Sequence, residues 1–164
     1  MRPAWQGHST SRAEGARVKE RVRAVLITPD QHFLTIRRTR PGQPPYWVLP
    51  GGGVEDSDPD RESALQRELH EELAATADIH SLIHVIERPD EHQYIYLARI
   101  HTWTFANRTG PEFTDPTRGD YHLDQLALTA EGVRTVPLEP DEIASFLTDH
   151  LTASTNLFTL PDLR

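Results

Sequence analysis

The stretch Gly51-Gly52-Gly53-Val54-Glu55-Asp56-Ser57-Asp58-Pro59-Asp60-Arg61-Glu62-Ser63-Ala64-Leu65-Gln66-Arg67-Glu68-Leu69-His70-Glu71-Glu72-Leu73 falls into three parts: bare backbone, an acidic turn, and a run with no helix breaker. Successive glycines leave a backbone free to adopt unusual dihedrals and to be approached closely. Asp58 reads as an N-cap and Pro59 as the first helical position, which predicts a helix over residues 60–73. At 100° per residue, the carboxylates of Glu68, Glu71 and Glu72 share about 100° of arc. Leu65, Leu69 and Leu73 form an adjoining apolar stripe, so the leucines anchor the helix while the acids line whatever lies at its edge. Acids this close repel unless water, arginine or a metal compensates. A hard divalent ion such as Mg²⁺ suits an all-oxygen cluster and shares its shell with phosphate. The other reading of the same residues is a solvated face held by i,i+4 salt bridges.

Upstream, Val22, Ala24 and Leu26 alternate with Val25 and Ile27, a Pro29-Asp30 turn follows, and Phe33 to Ile36 is apolar, which predicts two paired strands. Tyr46 to Leu49 predicts a short strand leading into the glycines. Downstream, Ile79–Ile86 and Gln93–Trp103 read as a hairpin across Arg88–Glu91, Asn107–Gly119 as a loop, Tyr121–Thr129 and Val133–Leu138 as strands. Glu139-Pro140-Asp141-Glu142 opens a second helix with Ile143, Phe146, Leu147 and Leu151 on one stripe. Residues 1–18 lack any period and are expected to be a flexible lead-in, with residues 19–164 forming a single domain.

Composition narrows the chemistry. The 164 residues contain no Cys, which excludes disulfides, thiolate nucleophiles and Cys-ligated zinc, so any metal must be held by oxygen or imidazole. No apolar run approaches the roughly 20 residues of a membrane span, and no membrane association is expected; the expected location is the cytoplasm. The net charge of −8 makes stable nucleic-acid binding unexpected. Residues 1–40 are nevertheless basic and residues 55–72 acidic, so a small phosphorylated ligand fits if a cation intervenes. A homodimer is compatible with these features.

Arg67-Glu68-Leu69-His70-Glu71-Glu72, set behind the glycine turn, resembles the signature of the Nudix hydrolases: Gly, five residues, Glu, seven residues, Arg-Glu, an aliphatic, any residue, Glu-Glu, any residue, Gly, an aliphatic. With Gly52 opening the motif, Asp58 stands for its first Glu and is followed by eight residues, and Ala74 stands for its closing Gly. The extra residue shifts a loop without rotating the glutamates. Ala74 removes the easiest left-handed cap, so the helix is expected to run on toward Thr76. The resemblance covers roughly residues 19–152. It implies an α/β fold, an α/β/α sandwich with a mixed β-sheet, and a pyrophosphohydrolase using Mg²⁺ or Mn²⁺ on a small-molecule nucleotide substrate. That substrate is a nucleoside diphosphate linked to another group, such as a nucleotide sugar, ADP-ribose or a modified nucleoside triphosphate. A module that binds a nucleotide without cleaving it is the alternative.

Cleaving a phosphoanhydride requires charge neutralisation on its oxygens and an activated water. By position Glu68 and Glu72 are first choices as metal ligands, and Glu71 is a third ligand or the base, which makes Glu68 and Glu71 the catalytic candidates. The resemblance implies that the Gly51 carbonyl completes the metal shell and that an acid from a later loop, best placed at Glu112, joins it. Gly52, Asp58 and Arg67 are structural in the motif, with Arg67 bracing the acidic loop through Asp58 or Glu55. Arg23, Arg37 and Arg38 are candidate phosphate partners, since guanidinium forks match phosphate oxygens, and alternation allows only one of Arg37 and Arg38 to reach in. Trp47 is placed either to stack on a base or to pack in the core. His80 and His84 carry metal-like spacing only on a helix, and their segment reads as a strand.

Overall fold

The computed structural model describes residues 15–105, 109 and 115–164; residues 1–14 of the lead-in, Glu112 and most of the 107–119 loop lie outside the described residues. Among the described residues, a mixed sheet of eight strands runs β1 (Lys19–Ile27), β2 (His32–Thr39), β3 (Tyr46–Val48), β4 (Gly51–Gly53), β5 (Asp78–Glu87), β6 (Glu91–Arg99), β7 (Asp120–Ala127) and β8 (Leu138–Glu139). Its main order is β5-β6-β1-β2-β3-β8, with β4 joined to β1 and β7 to β2. Helix α1 (Arg61–Leu73) covers one face; α2 (Ala130–Arg134) and α3 (Asp141–Thr152) cover the other. This is the α/β sandwich expected.

Alternation in β1 builds both faces at once. Val22, Ala24 and Leu26 pack with Leu65, Leu69 and Leu73 of α1, whereas Val25 and Ile27 pack with Ile143 and Leu147 of α3. A strand buried on both sides belongs in the middle of a sheet, and β1 sits there. The expected β1–β2 hairpin is confined to the turn, where Ile27 faces Phe33. Beyond it β1 runs parallel to β6, from Lys19 opposite Glu91 to Ile27 opposite Arg99, while β2 pairs with β7. The β5–β6 hairpin forms as expected.

Three boundaries differ from expectation. Asp60, not Asp58, caps α1: its extended backbone lets the carboxylate accept the Ser63 N–H at 2.7 Å. The helix stops at Leu73 because Ala74 itself adopts the left-handed conformation (φ 48°), its N–H donating to the His70 carbonyl. Val133 to Leu138 is not a strand; Thr129 accepts the Gly132 N–H and starts the short α2, leaving only Leu138–Glu139 extended. No helix among the described residues is long and apolar enough to cross a membrane.

Candidate functional site

The glycine strand is the platform. Paired antiparallel with β1, it sets Gly53 opposite Arg21, Gly52 opposite Val22 and Gly51 opposite Arg23. Gly51 has φ 136°, and a Cβ there would collide with the Val22 carbonyl. At Gly52 a Cβ would overlap the Glu68 carboxylate, so that carboxylate lies directly on bare backbone. One turn along α1, Glu72 accepts the Gly51 N–H at 2.9 Å. Glu68 and Glu72 are only 9% and 6% exposed, which argues against a solvated acidic face.

Arg67 ties this helix to the loop before it. Its guanidinium donates to both Asp58 oxygens at 2.9 Å, to the Gly53 carbonyl at 2.9 Å and to Glu68 at 3.0 Å, and lies 3.7 Å from Glu55. The bracing through Asp58 and Glu55 is the arrangement expected. The same long side chain also turns back along the helix to Glu68 and, at 3.5 Å, to Glu71. Hydrogen bonding to Asp58 holds the Arg67 guanidinium above its usual range, and the same bonds hold the Asp58 carboxyl below its own. Asp58 also accepts the Glu55 N–H, fixing the acidic turn. The shorter acid and the extra residue are thus absorbed in the loop.

The arginines divide. Arg23 donates to the carbonyls of Leu49 (3.1 Å) and Gly51 (2.9 Å); burial pushes its guanidinium down, and Glu72 and Glu68 oppose that shift. It therefore positions the glycine strand as well as facing the cleft. Arg38 stacks on Tyr121 with 3.9 Å between guanidinium carbon and ring centre, next to Tyr46 at 5.9 Å, because β2 registers it between these two tyrosines. Arg38, Arg23, Arg118 and Tyr121 line one cavity of about 230 Å³ with Glu68 and Glu72.

Arg37 and Trp47 are not brought into that cavity. The two are registered opposite each other and share Asp124, at 3.6 Å from Arg37 and 2.7 Å from the Trp47 indole nitrogen, while Trp47 packs on the α3-side core. The strand pleat turns them to the opposite face from Arg38. Sequence reasoning missed Arg21, Arg118 and Tyr121, which also border the cleft. Arg21 was accessible by stepping two residues along the strand from Arg23; Tyr121 and Arg118 arrive by β2–β7 pairing and carry no local signal.

Glu71 is partly exposed, and its carbonyl accepts the Thr109 N–H at 2.6 Å. Among the described residues no three His, Cys, Asp or Glu side chains gather as a metal cluster. The donor set still suits a hard cation: two buried carboxylates one helical turn apart, the oxygen-rich backbone of a glycine strand against which they lie, and no sulfur. His80 and His84 lie on β5, where His80 meets the Phe158 carbonyl and His84 stacks on Phe146. His70 is exposed.

Comparison with known proteins agrees with this geometry. The chain matches the NUDIX domain family over residues 18–145. In structure it is similar to a NUDIX hydrolase from Nitrosomonas europaea (TM-score 0.63, 12% identity, covering 85% of this chain and 92% of that one). It is also similar to the E. coli ORF135 protein (TM-score 0.56, 22% identity, covering 84% and 90%). A bifunctional NMN adenylyltransferase/ADP ribose pyrophosphatase from Francisella tularensis matches with TM-score 0.59 and 19% identity, covering 84% of this chain and 41% of that one. No curated protein matches the sequence. With the family match spanning most of the chain and the Arg-Glu helix seated on its glycine strand, the chain belongs to the Nudix family, the pyrophosphohydrolases that act on acid anhydrides.

Proposed function

We propose that this enzyme hydrolyses the pyrophosphate bond of a nucleoside diphosphate linked to another group, a nucleotide sugar, ADP-ribose or a modified nucleoside triphosphate, with Mg²⁺ or Mn²⁺. Nudix enzymes generally use divalent metal ions and act on small-molecule nucleotides. The observation that carries the reading is the burial of Glu68 and Glu72 against Gly51 and Gly52, inside a cavity walled by arginines.

In this reading Glu68, Glu72 and the Gly51 carbonyl would hold the ion, with Glu112 as a further ligand. Thr109, anchored on the Glu71 carbonyl three residues before Glu112 in sequence, supports that choice. The bound ion would neutralise the anhydride oxygens and acidify a water. Glu71, less buried than Glu68 and Glu72 and beside Arg67, would take the water's proton. Arg38, its guanidinium fixed by the Tyr121 ring, holds the phosphates, and Arg23 orients Gly51 while adding positive charge. Arg67 keeps Glu68 and Glu71 aligned.

The test is release of phosphate or nucleotide from a panel of nucleotide sugars, ADP-ribose, dinucleotides and nucleoside triphosphates with Mg²⁺ and with Mn²⁺, with Glu72→Gln run beside the parent. Turnover that needs the metal and collapses in the variant is expected. No turnover across the panel, with a ligand recovered unaltered from a thermally stabilised protein, overturns the hydrolase reading in favour of a binding module.

A further inference from the structure

Residues Lys19-Glu20-Arg21-Val22-Arg23 open β1 with charges sorted by the pleat. The even positions face α1: Val22 packs on its leucines, and Glu20 accepts from Arg61, the first residue of that helix, at 2.6 Å and from the Tyr94 hydroxyl at 3.2 Å. Alternation turns Lys19, Arg21 and Arg23 to the other side, at intervals of about 7 Å. Arg21 and Arg23 border the glutamate cleft. Lys19 and Arg21 border a second hollow, of about 370 Å³, which has no part in the proposed chemistry.

Hollow and cleft meet at Arg21 and Gly53, which line both. Val18 and Val54 give the hollow a little apolar wall, but it has no aromatic side chain for a base to stack on. Its remaining polar groups are Arg17, Glu20 and Asp56. Both acids are already engaged, Glu20 by Arg61 and Asp56 by Arg17, the latter an exposed pair at 2.6 Å. Glu91, opposite Lys19 on β6, is engaged as well: one oxygen accepts the Arg21 Nε–H at 2.7 Å and the other the Gln93 amide at 2.7 Å. Arg21 meets Glu91 through Nε, not through the fork of its terminal nitrogens. Lys19 is exposed and makes no ion pair among the described residues. The hollow thus places uncompensated positive charge at one end of the cleft.

We propose that this hollow receives the group that the pyrophosphate joins to the nucleoside, and that this group carries an anion recognised by Lys19. The proposal rests on the reading that the cleft binds a nucleoside diphosphate derivative, and narrows its substrate class. A neutral sugar brings hydroxyls that water serves equally well, whereas a carboxylate or phosphate gives the Lys19 ammonium a charge-assisted hydrogen bond. From Arg23 to Lys19 the strand advances about 13 Å, the reach of a pyrophosphate followed by one sugar ring or by further phosphates. A sugar acid and a lengthened phosphate chain share this chemistry. Lys19 is then a specificity-determining residue and takes no part in bond breaking.

The test is calorimetric binding of two pairs of compounds to the full chain, with Ca²⁺ in place of Mg²⁺. UDP-glucuronate is set against UDP-glucose, from which it differs by a carboxylate in place of a hydroxymethyl, and adenosine tetraphosphate against ATP, from which it differs by one phosphate. The more anionic member of at least one pair is expected to bind about tenfold tighter, the scale of one charge-assisted hydrogen bond. Lys19→Gln, at an exposed strand end, is expected to abolish that preference while UDP-glucose and ATP bind as before, and Lys19→Arg to keep it. A preference confined to the glucuronate makes the anion a sugar acid, and one confined to the tetraphosphate makes it a phosphate chain. No preference in either pair, binding of none of the four, or a preference that survives Lys19→Gln overturns the site. Hydrolysis is followed separately with Mg²⁺: an anion preference without turnover keeps this site and ends the hydrolase reading, and turnover of UDP-glucose or ATP with no anion preference does the reverse.

Discussion

The two long helices lie on opposite faces of one sheet and are held there by different physics. Helix α3 is attached by side chains that only need to leave water: Ile143 and Leu147 are fully buried, with Phe146 and Leu151 packed around them. Helix α1 has its leucine stripe too, but two of its six buried residues are glutamates, and its rotation is fixed by Arg67 reaching Asp58, Gly53 and Glu68 and by Glu72 on the Gly51 N–H. Apolar packing tolerates a shift of a few tenths of an ångström; a bidentate arginine and a carboxylate seated on a glycine do not. The α3 face supplies burial, and the α1 face supplies register for charged groups.

Substitutions on the two faces should therefore separate stability from activity. Leu147→Ala should cost about 2–5 kcal/mol of unfolding free energy, measured by urea denaturation, with kcat of the folded fraction unchanged. Glu72→Gln should do the converse, lowering kcat/KM by about 10²–10³-fold, the scale of losing one pre-organised charged group, with its melting temperature held or raised. If both substitutions damage stability and activity alike, the division between the faces is wrong.

Arg67→Lys keeps the charge and loses the fork. Turnover should fall about 10–100-fold, as for other groups that orient metal ligands, and circular dichroism should show an intact fold. The Asp58–Arg67 pair also sets a pH dependence. The folded-state pKa of Asp58 is depressed, so its contribution is complete above the unfolded value of about 3.9 and is lost as pH falls through the folded one. Asp58→Asn should remove that component, flattening stability against pH below about 4 in acid titrations of the melting temperature. The smallest effect is expected at Ala74→Gly. Relieving a non-glycine residue at φ 48° should raise stability by about 1 kcal/mol, or about 2–4 °C in melting temperature, without altering turnover.

The parts of this molecule legible in the sequence are those specified by neighbours along the chain. The leucine and glutamate stripes of α1, the β5–β6 hairpin and the stripe of α3 follow from periodicity alone. The helix start was misread because Asp58 and Asp60 are both competent caps, and the choice between them was settled by Arg67, nine residues beyond Asp58 and on the helix itself. Arg37 and Arg38 are chemically equal in sequence; the register of β2 with β3 and β7 sends one to Asp124 and the other to Tyr121. Arg23 reads as a phosphate partner until the strand carbonyls of Leu49 and Gly51 appear beside it. Such outcomes depend on pairings between distant segments, which no local pattern encodes.

The parallel pairing of β1 with β6 bears on how the site comes into being. Lys19 finds Glu91 only after the whole intervening chain, α1 included, has been gathered, and parallel non-local pairings of this kind are slow to form. A nascent chain that has just completed α1 already holds Glu68, Glu71 and Glu72, yet β1 still lacks the partner that fixes it in the middle of the sheet. The chemistry is written early in the chain and assembled late, so partly folded molecules carry the acids without the cleft.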